Sequence, residues 1–177
     1  GYGLATAIFW DEVSPSVKPF DPENLLIFAT GPLCGTPVPG SARVVVAGRS
    51  PSTYPRFSYT RSNIGGEWGP NLKYSGYDAI VVKGKASEPV YLWINDGNVE
   101  FRRATKLWGL DAYTVQDKIK AEVGQNEASV AAIGKAGENM VSFACIIHRR
   151  GHAAGQGGFG AIMGSKNLKA IAVYGRR

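Results

Sequence analysis

The sequence predicts a strand-rich α+β fold, and three observations lead to that class. Short apolar segments of strand length stand both before and after one clear amphipathic helix. Glycine makes up 23 of the 177 residues without a fixed period, which is typical of a globular chain with many turns. Asp96-Gly97 lies between two alternating segments, a strong signal for a hairpin. Because strands flank the helix and do not alternate with helices, α+β is favoured over a doubly wound sheet.

The first half of the chain is predicted to hold a helix, a stiff loop and several strands. A helix over residues 4–13 ends at Ser14-Pro15, and residues 25–29 follow as a buried strand. Residues 31–43 contain three prolines and three glycines, which hold an extended connection stiffly. That loop ends at Arg43, directly before a strand over residues 44–46, so we expect it to aim Arg43 at little entropic cost.

The second half is predicted to consist of strands around one helix. Asp111 is a suitable N-cap, Val115, Ile119 and Val123 recur every four residues, and Gly124 is a C-terminal stop, so this helix is expected to lie on a sheet. Strands are expected over residues 78–84, 90–94, 99–102, 129–133, 141–146 and 169–174, and a short helical turn over residues 163–168.

Length and charge limit the classes of function. A chain of 177 residues suits one domain, although a pair of related half-domains would also fit. The formal net charge of +6 is compatible with nucleic acid, an anionic cofactor or an acidic partner. The basic residues are scattered or grouped in short pairs, without a nucleic-acid-binding motif. We therefore interpret most of them as solvated surface charge and expect no nucleic-acid partner.

Cys34 and Cys145 are the only two cysteines and lie outside any CxxC spacing. By themselves they cannot build a four-thiolate iron–sulfur or zinc site, and we expect two buried, reduced thiols. No apolar run approaches the roughly 18 residues that span a membrane, and the first residues lack a basic start. We therefore expect a soluble, cytoplasmic protein without a membrane span.

Two glycine-rich, basic segments, residues 63–73 and 151–169, are expected to form loops between strands in the two halves. Glycine lets a backbone approach a phosphate or a ring closely, but an ordinary tight loop explains such a segment equally well. The second segment, residues 151–169, matches neither the P-loop nor the dinucleotide-binding pattern. Their similar placement would suit two related sheet-containing subdomains that present loops to one surface.

Several segments in order resemble the N-terminal domain of the tungsten-containing aldehyde:ferredoxin oxidoreductases. They are SNIGGEWGPNLK at 62–73, GYDAIVVKGK at 76–85, residues 26–33, AIGKAGEN at 132–139 and the closing residues 160–173. The resemblance covers nearly the whole chain, 1–177. Within the family, residues 33–37 and 132–139 also look like the catalytic subunit of the tungsten-dependent benzoyl-CoA reductases.

The resemblance implies a tungsten bis-pyranopterin cofactor of the molybdopterin type, held between this domain and two later helical domains. It also implies a 4Fe-4S cluster bound in those later domains, so the chain is expected to be a fragment that is inactive alone. The expected reaction oxidises aldehydes to carboxylic acids or the reverse, with ferredoxin or an iron–sulfur subunit as partner. A homo-oligomer or complex is possible within this family.

Two alternatives to that reaction stay open. One is a benzoyl-CoA reductase acting on a thioester, and the other is a non-catalytic, basic module that binds an anion or a pterin. No residue of this chain is predicted to be a catalytic acid or base.

The resemblance also implies individual site residues. Arg43 matches an arginine between the cluster and a pterin, and the backbone carbonyls of Asn63 and Ala153 match the ligands of a Mg²⁺ that bridges the two pterin phosphates. Backbone approach to the cofactor is expected at Gly65, Gly66, Gly155, Gly157 and Gly158. His152 and Gln156 stand where the best-known members carry arginine, which removes positive charge beside the expected phosphates. Trp68 and Trp93 are expected to pack in the core or at an interface and not to stack on a pterin.

Overall fold

The computed structural model describes residues 1–176 and contains five α-helices and ten strands within them. The helices are α1 (Tyr2–Glu12), α2 (Trp68–Tyr74), α3 (Ala112–Val123), α4 (Lys135–Glu138) and α5 (Phe159–Ser165). The strands of the first half are β1 (Leu26–Thr30), β2 (Val44–Arg49), β3 (Tyr59–Ile64) and β4 (Ala79–Val82). Those of the second half are β5 (Val90–Asn95), β6 (Asn98–Arg103), β7 (Ser129–Ala132), β8 (Ile146–His148), β9 (His152–Ala154) and β10 (Leu168–Tyr174).

Each half of the chain builds one sheet, which confirms the α+β class. The first half forms a four-stranded antiparallel sheet in the order β3-β2-β1-β4. The second half forms a six-stranded sheet in the order β6-β5-β10-β7-β8-β9, in which only β5 and β10 run parallel. The predicted hairpin at Asp96-Gly97 joins β5 and β6 and is confirmed.

The two sheets enclose a common core, because alternate residues of their strands point to opposite faces. In β1, Leu26 and Phe28 face the other sheet, whereas Ile27 and Ala29 pack under α1. The six-stranded sheet follows the same rule: in β10, Ile171 faces inward, whereas Ala170 and Ala172 pack under α3. Helices α2 and α5 fill the space between the sheets, so the order of layers is α1, sheet, shared core, sheet, α3.

The predicted helix after Asp111 is confirmed at both ends. Asp111 Oδ1 accepts hydrogen bonds of 2.9 Å from the backbone N–H groups of Tyr113 and Thr114, and Gly124 ends the helix at φ +67°. Val115 and Ile119 are fully buried against the sheet, as expected. Trp68 and Trp93 are also core residues; the indole N–H of Trp68 donates to the Ile171 carbonyl at 3.1 Å.

The strand predicted over residues 141–146 is wrong, since only Ile146 belongs to a strand. Residues before it form turns that contact α5: the Ala144 carbonyl accepts a hydrogen bond from the Gly160 N–H at 2.9 Å, and Met140 has a positive φ of 53°. The Ala144 carbonyl is therefore directed at a helix and not at another strand. An apolar run alone does not carry that information.

The two glycine-rich segments are not simple loops, which corrects the prediction for residues 63–73 and 151–169. The first includes the end of β3 and the helix α2, and the second includes β9 and α5. Helix α5 also begins four residues before the turn predicted at 163. Its glycines permit close packing: a Cβ at Gly164 would overlap the Gly137 carbonyl oxygen.

The two cysteines are free, but only Cys34 is buried, so the expectation of two buried thiols is wrong for the half-buried Cys145. Desolvation raises the pKa of the Cys34 thiol. Within residues 1–176 no helix has both the length and the apolar character needed to cross a membrane.

Candidate functional site

The site predicted from sequence lies where an edge strand of one sheet meets an edge strand of the other. β3 ends the four-stranded sheet and β9 ends the six-stranded sheet, and the two strands are neighbours. Two hydrogen bonds join the sheets here: the Gln156 N–H donates to Ser62 Oγ at 3.2 Å, and Ser50 Oγ donates to the Gly157 carbonyl at 2.8 Å. The structure thus brings together the two segments that were predicted separately.

Arg43 lies at the same end of the four-stranded sheet as the Gly65-Gly66 turn. The antiparallel register pairs Val44 with Ile64, so the chain enters β2 at Arg43 where it leaves β3 at Gly65. The proline-rich loop before Arg43 is anchored on α2, because the Tyr74 hydroxyl donates to the Gly35 carbonyl at 2.7 Å. Arg43 itself is exposed.

Asn63 and Ala153 lie on the two adjoining edge strands. Asn63 is paired with Val45 in β3, and Ala153 is paired with Ile147 in β9. An edge strand leaves part of its backbone N–H and C=O groups without a partner strand, and carbonyl oxygens are suitable ligands for Mg²⁺. In the part of the chain that the structure describes, no group of three or more His, Cys, Asp or Glu side chains could hold a metal ion.

Gly65 and Gly66 form the floor under the half-buried ring of His152. A Cβ at Gly65 would lie 3.2 Å from His152 Nδ1, and a Cβ at Gly66 would lie 2.8 Å from His152 Cδ2. Gly66 also has a φ of +78°, a conformation that other residues rarely adopt. These two glycines leave room for an imidazole ring, a role that the sequence did not reveal.

The glycines near residue 155 divide into two kinds. Gly155 is exposed, and a Cβ there would meet nothing nearer than Cys145 Sγ at 4.0 Å. Gly157 and Gly158, at φ +77° and +66°, pack instead against the protein. A Cβ at Gly157 would lie 2.5 Å from the Phe159 ring, and one at Gly158 would overlap the Ser142 carbonyl oxygen. Of these three glycines, Gly155 is exposed, Gly157 is half-buried and Gly158 is buried.

Behind His152 lies a group of charged and polar residues that sequence reasoning missed. His148 is 1% exposed, and its ring stacks on that of His152 with centroids 6.0 Å apart and planes inclined by 22°. Glu67 pairs with Arg149 at 2.9 Å and places Oε2 3.8 Å from His148 Nε2. Nε2 is buried without a hydrogen-bond partner. Desolvation lowers the pKa of His148, so its neutral form is favoured.

A signal for this group exists in the sequence. His148 and His152 flank Arg149-Arg150-Gly151, and a tight hairpin around those three residues pairs the two histidines directly. The strand predicted over residues 141–146 ends before this hairpin, so the sequence pattern did not predict the pairing of the two histidines.

A cavity of about 490 Å³ lies next to this group, between α2, the start of β7 and the end of β10. Its lining includes Glu67, His148, Arg149, Lys120 and Arg176. Both signs of charge are present, so the cavity does not select an anion by charge alone.

Comparison with known proteins gives consistent results. The model of the aldehyde ferredoxin oxidoreductase N-terminal domain family matches residues 1–175. The chain is 50% identical to a tungsten-containing aldehyde ferredoxin oxidoreductase of Pyrococcus horikoshii, over 100% of this chain and 28% of that protein. It is 41% identical to the WOR-like subunit of an aliphatic sulfonate oxidoreductase of Pyrococcus furiosus, over 99% of this chain and 30% of the relative.

A solved structure is similar over the full length of the chain. It is the active site complex BamBC of benzoyl coenzyme A reductase with 1,5-dienoyl-CoA, at a TM-score of 0.96 and 50% identity, covering 100% of this chain and 26% of that chain. The chain therefore spans less than a third of the length of the relatives that it matches.

Proposed function

The chain belongs to the aldehyde ferredoxin oxidoreductase family, and from this premise we propose that it forms the base of a tungsten bis-pyranopterin site. In the proposed full-length enzyme, aldehydes are oxidised to carboxylic acids, or the reverse, with transfer of electrons to or from ferredoxin. The observation that carries the proposal is the meeting of β3 and β9, which brings Asn63 and His152 to one edge.

The described residues fit the phosphate end of such a cofactor. The carbonyl oxygens of Asn63 and Ala153 would hold a Mg²⁺ beside the cofactor phosphates, since Mg²⁺ prefers hard oxygen ligands. The exposed backbone at Gly155 can approach a phosphate without a steric obstacle. The imidazole of His152 and the amide of Gln156 would donate hydrogen bonds to the phosphate oxygens.

Arg43 is proposed to bind the pterin beside the Gly65-Gly66 turn, at the same end of the four-stranded sheet. A guanidinium can donate to pterin acceptors and stabilise negative charge that accumulates on the cofactor. When bound, the tungsten and its dithiolene sulfur atoms supply the redox chemistry. This chain supplies position and electrostatics, and the groups that move protons to or from the substrate are proposed to lie in the remainder of the full-length protein.

The remainder of the protein is also proposed to bind the 4Fe-4S cluster that links the cofactor to its partner. That partner would be ferredoxin or an iron–sulfur subunit in the cytoplasm. Similarity to the WOR-like subunit and to the BamBC complex supports a multi-subunit assembly, because both relatives are described as parts of larger assemblies.

One observation favours a second reaction. The solved structure at a TM-score of 0.96 belongs to a benzoyl coenzyme A reductase, and its identity of 50% equals that of the aldehyde-oxidising relative. Reduction of the aromatic ring of a thioester such as benzoyl-CoA is therefore the alternative reaction for the same cofactor site. Turnover of short aldehydes against benzoyl-CoA by the purified enzyme distinguishes the two.

The cofactor proposal is tested by the tungsten and pterin content of the full-length protein, purified without oxygen. About one tungsten and two pterins per chain are expected for a bis-pyranopterin site. A folded protein with neither would contradict the proposal and would favour a non-catalytic anion-binding module.

A further inference from the structure

The position of His152 is set by its neighbours before any ligand binds. Its ring lies over the Gly65-Gly66 turn on one side, where a Cβ at Gly66 would lie 3.1 Å from His152 Nε2. The ring of His148 stacks on it from another side. No protein group in residues 1–176 forms a hydrogen bond with the His152 ring, so the contacts that fix it leave its nitrogen atoms to a ligand.

His148 is itself held firmly. Its Nδ1 lies 3.0 Å from the Val130 carbonyl oxygen. A carbonyl only accepts, so Nδ1 carries the hydrogen and the ring orientation is fixed. Since Val130 belongs to the central part of the six-stranded sheet, the sheet determines where this ring stands.

The turn that joins the two histidines is clamped to α3. Gln116 is 6% exposed; its Oε1 accepts a hydrogen bond from the Arg149 N–H at 2.7 Å, and its Nε2 donates to the Arg149 carbonyl at 3.4 Å. Arg149 adopts a positive φ of 51° in this turn. The clamp fixes the register in which His148 faces His152.

From these contacts we propose that His148 is a positioning residue: it holds the His152 ring against the Gly65-Gly66 turn so that His152 can bind a phosphate of the cofactor. The inference rests on the proposed cofactor site and adds a residue to it. A side chain that is already immobilised loses little conformational entropy when its ligand binds. The short imidazole of His152, which is already held in place, can therefore keep affinity for the phosphate without the longer, more mobile arginine side chain that the resemblance implies at this position.

The test is a double-mutant cycle in the full-length protein, with loss of pterin and tungsten as the measurement. His148→Ala, His152→Ala and the double variant are incubated with inorganic phosphate and a chelator, and the first-order rate of cofactor loss is followed. Arg150→Ala, at the exposed tip of the same turn, is the control and is expected to lose cofactor at the wild-type rate. The thermal midpoint of each cofactor-free variant reports the structural cost separately.

We expect His148→Ala to accelerate cofactor loss about three- to tenfold when His152 is present. In the His152→Ala background the same change should have little effect, because His148 acts through His152. Equal acceleration in both backgrounds, or none in either, would overturn the proposal. Should His148→Ala not fold, His148→Gln replaces it, since an amide can donate to Val130 but has no ring to stack.

The failures of the two proposals are distinguishable. A wild-type protein without tungsten or pterin contradicts the cofactor site and, with it, the role of His148. If the wild-type protein holds tungsten and pterin but the effects of His148→Ala and His152→Ala on the rate of cofactor loss are additive, only the role of His148 is contradicted.

Discussion

The two glycine pairs of this molecule, Gly65-Gly66 and Gly157-Gly158, have different neighbours although both lie in glycine-rich segments. The space beside Gly65-Gly66 is occupied by a side chain, the ring of His152, at the edge where the two sheets meet. The space beside Gly157-Gly158 is occupied by the Ser142 backbone and the Phe159 ring, inside the packing of α5. Glycine content therefore identifies close approach, and the atoms beside each glycine decide between a binding role and a packing role.

The largest effect is expected for Gly158→Ala. Alanine is strained at φ +66°, and its Cβ would overlap the Ser142 carbonyl oxygen, which is backbone and cannot rotate away. We expect a loss of about 2–5 kcal/mol in the free energy of unfolding. Urea denaturation of the full-length protein measures this loss. An unfolding free energy within about 0.5 kcal/mol of the wild type, the range usual for surface substitutions, would show that this turn is not fixed by packing.

A smaller loss of stability is expected for Gly66→Ala, together with weaker retention of cofactor. The strained φ costs about 1–2 kcal/mol, but the atom that a Cβ would meet belongs to a side chain, so the His152 ring can shift. The shift removes His152 from its position at the proposed phosphates. Faster loss of pterin in Gly66→Ala, reduced in the His152→Ala background, would support this; a change in stability alone would assign Gly66 to packing.

The decrease in the free energy of unfolding at acidic pH should depend on His148. Burial lowers the pKa of this histidine in the folded state, so the unfolded chain binds more protons below about pH 6.5, the ordinary pKa of histidine. The stabilisation is present above that pH and is lost as the pH falls. Unfolding free energies between pH 7 and pH 5 should decline less steeply in His148→Gln than in the wild type; identical slopes would contradict the burial effect.

The smallest effect on stability is expected for Gly155→Ala. No atom lies closer than 4.0 Å to a Cβ at this position, and the residue is exposed, so the free energy of unfolding should change by no more than about 0.5 kcal/mol. The added methyl group would nevertheless project into the proposed approach of the phosphate. Unchanged cofactor retention in this variant would place the phosphate away from Gly155.

Features with a local cause were predictable from the sequence. The helix after Asp111 was predicted at both ends because its cap and its stop act on adjacent backbone groups. The strand predicted over residues 141–146 is wrong because the segment turns on itself and the Ala144 carbonyl bonds to α5, which lies in another part of the chain. The adjacency of β3 and β9 was implied only by the resemblance, through the Mg²⁺ that Asn63 and Ala153 would share. The residue pattern alone does not predict it, since it depends on how two sheets pack.

In the candidate site, too, some features could be predicted from the sequence and others depend on how the chain folds. The resemblance identified Asn63, Ala153 and the glycines as site residues, but it did not separate the open Gly155 from the packed Gly158. Glu67 and His148 were missed because their relation depends on a hairpin and a neighbouring turn that meet only in the folded chain.

The most direct test of the account is an experimental structure of the full-length protein with its cofactor. The account predicts a Mg²⁺ at about 2.1 Å from the carbonyl oxygens of Asn63 and Ala153, bridging two pterin phosphates, with His152 in hydrogen-bond contact with one of them. A cofactor whose phosphates lie elsewhere, with no cation between β3 and β9, would contradict the claim that this edge is the binding site.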